Sequence, residues 1–496
     1  MCIRTSITAA LAMAAFALLP SVPVHAQGLG TLGGNVCSAV NTNDSGAVVG
    51  TCRDAEGDVG AVYWAPGTEI PVPLSMLEPD GPCSVYDINN GNIAVGNCEK
   101  GAAGEFFPVR WTLSLPGSLP QRLNPLLGHV NAAAGIINHA GVVGGASLDG
   151  GGSPRAVIWR AGQTAAVELP ELGLLPPLLT SSTGCQIADM TDDASPIVVG
   201  TCSLDEGGSI AVRWQPGVLG YTVSALPRLP DGSNCVAAAI NQSGQIAGTC
   251  ETATGDIVAV RWAANNTLTY LDDLEVSGPS REQLAVADMN EGGVIVGNYL
   301  TDEGYSRAFV WSPVNNPASE EALDIGGLGG FWTTIIDIAD DGTFTGVAQT
   351  SDGRVEGFAG SATLEIAGIG TLGGFTSAPA ALSDSGNHLV GTSQTAAGFG
   401  NAFLLSATLT RLTRASASRT QSRLARLQFL ETEPAAISNL IDPELQPVLY
   451  EGDILLTEDQ SAHLLDEETL SLKRRHCREV IRSRICGLKK IIWRHG

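Results

Sequence analysis

The chain has 496 residues, 44% of them hydrophobic and 16% charged, with a formal net charge of −24 at pH 7. The charge is uneven. Residues up to 408 carry 13 basic and 39 acidic side chains, which excludes nucleic acid and anionic lipid as natural partners and leaves cations or basic partners open.

At the N-terminus, Arg4 precedes an apolar run at 7–19, then Pro20 and the small-residue site Val24-His25-Ala26. This order predicts a secretory signal peptide, residues 1–26, cleaved after Ala26. The apolar run is too short to span a bilayer. The expected location is secreted or extracellular, or periplasmic in a Gram-negative host.

From Gly28 to about Ala407 a segment of about 48 residues recurs eight times. Each copy has a polar turn between apolar runs, as in AVNTNDSGAVVG (39–50), and an apolar run ending in Trp, as in AVYW (61–64). Some copies also carry a Leu-Gly-Gly connector, as at 32–34, 328–330 and 372–374. A glycine closing the second run keeps the register: Gly50, Gly96, Gly145, Gly200, Gly248, Gly297, Gly346 and Gly391. Six of the eight Trp sit at one repeat position, Trp64, Trp111, Trp159, Trp214, Trp262 and Trp311; copies seven and eight have lost it. That periodicity predicts packing between neighbouring copies rather than ligand contact. The runs are short, rich in Val, Ile and Ala, and separated by Gly, Asn, Asp and Pro, which reads as strands and turns. Four runs per copy predict an all-β fold: a β-propeller of seven or eight four-stranded blades over 27–408, with a β-solenoid as the alternative. A unit this short cannot bury its own apolar face, so the copies must stack.

Eight of the eleven cysteines form pairs that bracket the polar turns: Cys37/Cys52, Cys83/Cys98, Cys185/Cys202 and Cys235/Cys250. In a hairpin these positions face each other, so four disulfides within single copies are expected, and with them an oxidising compartment. The matching positions without cysteine are Ala132/Ser147, Leu284/Tyr299 and Thr333/Ala348. A zinc site is not expected, because the repeats hold only His129, His139 and His388.

The turns at 339–342 (ADDG), 383–386 (SDSG) and 43–46 (NDSG) resemble fragments of calcium loops but lack the alternating oxygen ligands, and Asn, Asp and Gly suit β-turns directly. No cofactor is expected; calcium is the alternative those turns leave open. Asn43, Asn241 and Asn265 open Asn-x-Ser/Thr acceptors that a glycosylating host would use. No hydrolase, metalloprotease or phosphate-loop motif appears in the repeats. The leading expectation is a binding or surface-interaction module for a protein or glycan ligand, without catalysis. The alternative is a secreted hydrolase or lyase that gathers carboxylates at the central channel, and one sequence does not show which acids converge there.

The pattern LGG…SAVNTNDSGAVVG…AVYW resembles the extracellular HAF-repeat family. Ala308-Phe309-Val310-Trp311 and Ala402-Phe403 match best, with Arg307 and Asn401 where the family carries His. The resemblance implies a secreted, propeller-like protein of bacterial type and supplies no catalytic residue.

After about Thr410 the composition changes. Residues 409–430 form a basic, Ser-rich linker expected to be helical, and 431–496 a tail expected to be mostly helical or irregular. The stretch LYEGDILLTEDQ (449–460) resembles the prodomain of astacin-type zinc metalloproteases, whose F-x-G-D aspartate occupies the catalytic zinc; here Tyr450, Glu451, Gly452 and Asp453 match. The zinc-binding helix of such proteases is absent, so the resemblance implies at most a precursor, or a fusion in which Asp453 inhibits a partner's zinc. Cys477 and Cys486, nine apart, are left unassigned.

Overall fold

The computed structural model describes residues 26–406, apart from 78–80, 101–104, 116, 118, 174–181, 206, 272–283, 302, 314–321 and 362–365. Residues 1–25 of the leader, the linker, the tail with Asp453, and Cys477 and Cys486 lie outside the described residues. Ala26, the expected last residue of the leader, is buried in a cluster with Leu389, Phe403 and Leu405.

Seven repeats each fold into a four-stranded antiparallel blade and the eighth supplies three strands of another, giving eight blades. Blade 1 is Gly33–Thr42, Val48–Asp54, Val59–Trp64 and Pro71–Pro73, hydrogen-bonded in that order. The first strands of the other blades are Cys83–Ile88, Asn131–Ile137, Ser182–Met190, Cys235–Ile240, Leu284–Met289, Gly329–Ile338 and Gly373–Leu382. These first strands stand innermost, and that of blade 1 contacts those of both blade 2 and blade 8. The circle is closed by the N-terminal strand Gln27–Gly28, which pairs with Gly400–Ser406 and supplies the outer strand of blade 8. The two end copies therefore do not merge into one blade. The protein is an all-β propeller, and ring closure rules out the open solenoid.

The register glycines have a common cause. In every blade the first strand carries a β-bulge opposite the glycine, for example between Ala237 and Ala239 against Gly248. A Cβ on Gly248 would lie 2.2 Å from the main-chain oxygen of Val236, and one on Gly50 2.0 Å from that of Ser38. Only glycine lets the bulged strand come this close, and the bulge turns the next residue of the first strand toward the axis.

All four expected disulfides form, each between the first and second strands of one blade. Cys37 bonds Cys52 in blade 1, Cys83 bonds Cys98 in blade 2, Cys185 bonds Cys202 in blade 4, and Cys235 bonds Cys250 in blade 5. Each pair is directly opposed in the hairpin register, with Cα–Cα distances of 4.0–4.1 Å. All eight cysteines are buried. The two extra residues between Cys185 and Cys202 are taken up by the longer turn at 191–197, so the pairing is unchanged. The cysteine-free positions hold the same register: Ala132 faces Ser147, Leu284 faces Tyr299, and Thr333 faces Ala348.

The Trp side chains pack between blades. Trp64, buried, lies among Leu29, Ala381, Val390 and Ala402 from the N-terminal segment and blade 8. Its indole Nε1 donates to the Gly30 carbonyl at 3.1 Å; Trp159, Trp214 and Trp262 make the corresponding bond to Asn124, Pro170 and Pro227. In blade 7, where Gly360 stands in place of Trp, the Phe344 ring fills the slot, 2.2 Å from where a Gly360 Cβ would be.

Candidate functional site: the acidic mouth of the channel

Three columns of repeat residues meet at one end of the axis. The first is the bulge-aimed position on the first strand: Asn41, Asp87, Ile136, Asp189, Ala239, Asp288, Asp337 and Ala381. Two residues on comes Asn43, Asn89, Asn138, Thr191, Asn241, Asn290, Ala339 and Ser383, and the next residue forms the rim: Asp44, Asn90, His139, Asp192, Gln242, Glu291, Asp340 and Asp384.

The inner aspartates join blades. Each accepts from the main-chain N–H that follows the bulge in the next blade: Asp87 from Ile137 at 2.8 Å, Asp189 from Ile240 at 2.8 Å, Asp288 from Ile338 at 3.3 Å, and Asp337 from Leu382 at 2.7 Å. Asp87 also accepts from the Asn41 side chain at 2.7 Å. Desolvation dominates their protonation. It pushes Asp87 up to about 7 and Asp189 to about 6, against the opposing effect of the main-chain hydrogen bonds. Asp288 and Asp337 are both raised, first by desolvation, and the charge of Asp337 adds to the rise at Asp288.

The asparagine column is structural. The Oδ1 of Asn89 accepts from the N–H groups of Gly91 and Ile93, and its Nδ2 donates to the Asn138 carbonyl of the next blade at 3.0 Å. Asn43, Asn138 and Asn290 repeat this bridge. Asn43 and Asn241 are therefore buried and engaged, which removes them as glycan acceptors; Asn265 is exposed.

The disulfide cysteines take no part in the mouth. Cys37, Cys52, Cys83, Cys98, Cys185, Cys202, Cys235 and Cys250 are all absent from the cavity lining. They bracket each turn seven residues before and eight to ten residues after its rim residue, deep in the blade cores, and their role is to hold the hairpins that carry the rim.

The rim is where chemistry is free to act. Its carboxylates are held by main-chain donors from neighbouring blades. Asp192 accepts from His139 N at 2.9 Å, Glu291 from Gln242 N at 2.9 and 3.1 Å, Asp340 from Glu291 N at 3.1 Å, and Asp44 from Ser385 N at 2.8 Å. His139 reaches across from blade 3 to blade 8, its Nε2 2.7 Å from Asp384 Oδ2 and its Nδ1 3.4 Å from Asp192 Oδ2. The Asp384 bond raises His139 to about 9 against desolvation, so the ring is cationic at neutral pH. Desolvation raises Glu291 and Asp340; at Asp44 it is outweighed by hydrogen bonds from Ser385 and Asn90, which hold that carboxyl low.

Inside the rim is a cavity of about 310 Å³, lined among others by His139, Asp192, Gln242, Glu291, Asp340 and Asp384, with no Lys or Arg in its lining among the described residues. Three of the rim aspartates, Asp44, Asp340 and Asp384, come from the turns that resembled calcium-loop fragments. Their oxygens accept from main-chain and side-chain donors, and no cluster of three or more His, Cys, Asp or Glu with metal-binding geometry occurs among the described residues. No helix among the described residues is long and apolar enough to cross a membrane. The sequence did contain a signal for the rim: all eight rim residues fall six to eight positions before the register glycine, and seven of the eight are Asp, Glu, Asn or Gln.

The fold and this site define an eight-bladed, disulfide-bonded propeller with an acidic channel mouth. No family model matches the chain, and no curated protein matches it. Solved structures resembling it include a putative TolB from Agrobacterium tumefaciens, 9% identical over 75% of this chain and 99% of that one, at a TM-score of 0.34. They also include the BP39L lectin from Burkholderia pseudomallei (10% identity, 68% of this chain, 99% of that one, TM-score 0.36). A third is a puromycin-hydrolyzing peptidase from Mycobacterium tuberculosis (11%, 72%, 58%, 0.41). The propeller assignment rests on the strand pairing.

Proposed function

We propose that the chain is an extracellular or periplasmic binding module of the HAF-repeat type, without catalysis, whose channel mouth receives a cationic group of its ligand, an ammonium or guanidinium. The observation that carries this reading is the rim cavity. The carboxylates of Asp192, Glu291, Asp340 and Asp384 surround it, His139 is the only cationic side chain in its lining among the described residues, and each carboxylate is already fixed in place by main-chain or His139 contacts. Pre-positioned charges cost a ligand little reorganisation on binding. The leader-like N-terminus and the four disulfides support an oxidising compartment.

The test is calorimetric titration of the full chain with spermine. In the triple variant Asp192→Asn, Glu291→Gln, Asp340→Asn, each amide keeps an oxygen for its main-chain donor while the charge is removed. Affinity is expected to fall at least about tenfold, as lost charge pairing at a partly desolvated site would give; equal affinity would refute the reading.

A hydrolytic reading is favoured only by the Asp288–Asp337 pair, two carboxyls raised by burial that line the same channel. Both carboxyls are committed to main-chain N–H groups of the next blade, which suits a structural role. Reproducible glycan or peptide turnover abolished by Asp337→Asn would replace binding with catalysis.

A further inference from the structure

We infer that the chain supplies an occupant for its own channel mouth: the arginine-rich linker at 411–426 docks there and competes with external cationic ligands. The inference rests on the binding reading above, and three independent features carry it.

The first is where the described chain leads. In blade 8 the strand Gly400–Ser406 runs parallel to the innermost strand Gly373–Leu382, since both are antiparallel to the strand between them. It therefore ends on the face that carries Asp384 rather than on the opposite one. Ser406 pairs with His388, whose Nδ1 lies 3.1 Å from the Ser406 hydroxyl. The His388 ring in turn lies against Gly46, just after the rim residue Asp44.

The second is reach. Ser406 lies two strands out from the axis-lining strand, a lateral offset of about 10 Å. Arg411 follows five residues later and Arg414 eight, so an extended chain spans up to ~17 Å and ~26 Å. Both distances exceed the offset, and the same blade lines the cavity through Asp384.

The third is charge. Between 411 and 430 the sequence holds Arg411, Arg414, Arg419, Arg423 and Arg426 and no acidic residue, whereas the residues up to 408 hold three acids for every base. Guanidinium groups suit carboxylates whose free lone pairs lie in a ring, because each fork takes two acceptors. A short tether sets a millimolar effective concentration, so even a weak contact, with a dissociation constant near ~100 μM, would lower the apparent affinity for an outside cation about tenfold.

The experiment compares two full-length chains, the natural one and one carrying Arg→Gln at all five positions, using fluorescein-labelled hexa-arginine as the probe. Near-UV circular dichroism and the non-reducing disulfide map check that both chains fold. Docking in cis predicts that the five-fold variant binds the probe about tenfold more tightly, and that added unlabelled peptide of sequence 409–430 removes the difference. Equal, measurable affinities would overturn the docking while leaving the binding reading intact. A failure of both chains to bind would overturn both. A difference that grows with protein concentration would place the linker in a neighbouring molecule and overturn the cis arrangement.

Discussion

Replacing Gly248 with Ala tests the link between register glycine, bulge and channel. The new Cβ would lie 2.2 Å from the Val236 main-chain oxygen, 2.8 Å from the Trp262 ring and 3.1 Å from Ala237 Cα. The first of these atoms belongs to the bulged backbone and cannot rotate away, so the strand must shift. Overpacking of this kind costs about 3 kcal/mol, the upper part of the usual range. The control is Gly60, in the strand Val59–Trp64, where an added Cβ meets nothing within 4 Å. There Ala restricts the unfolded chain and stabilises by about 0.5 kcal/mol. Urea unfolding under non-reducing conditions, followed by tryptophan fluorescence, measures both. If the two variants differ by less than about 1 kcal/mol, the glycine is not there to admit the bulge and this account of the column is wrong.

Three further outcomes follow from the same geometry. Stability should fall as pH rises from 5 to 8: the carboxyls of Asp87 and Asp189, raised to about 7 and 6, and His139, raised to about 9, all bind more protons folded than unfolded in that window. Thermal melts across pH read this directly; a melting temperature that climbs from pH 5 to 8 would contradict it, and Asp87→Asn should flatten the slope. Removing one disulfide as Cys235→Ala with Cys250→Ala should cost about 3 kcal/mol by the loop-entropy estimate for a separation of 15 residues, seen as a lower urea midpoint. Asn89→Ala deletes two bonds within its turn and the bridge to blade 3, and should cost about 3 kcal/mol, whereas substituting the exposed Asn265 should be close to neutral.

Much of the fold was legible because a repeat shows one physical constraint eight times over. The paired cysteines fixed the hairpin register: Cys37 opposite Cys52 and Cys83 opposite Cys98 left one way to align the strands, and Cys185 with Cys202 absorbed a longer turn without changing it. The periodic Trp marked the blade interface. What spacing could not decide was the blade count, since the closing strand is only Gln27–Gly28, two residues with no pattern of their own. The site was less legible. Asp87 and Asp44 look alike in a chain with 51 acidic residues, and only the bulge separates a carboxyl turned inward to bridge blades from one left at the rim. The turns at 43–46, 339–342 and 383–386 resemble fragments of metal loops, and their spacing does not show that ring closure sets Asp340 and Asp384 at one cavity with Asp44 bonded to the Ser385 N–H beside it. His139 could not have been singled out at all, because its partner Asp384 lies 245 residues away.

The central claim is that the rim cavity recognises a cationic group. The most direct measurement is spermine affinity in the chain with the five linker arginines replaced by Gln, with and without Asp192→Asn, Glu291→Gln and Asp340→Asn. The account predicts that the rim substitutions weaken binding at least about tenfold and shrink its salt dependence. Unchanged affinity and an unchanged salt slope would contradict it.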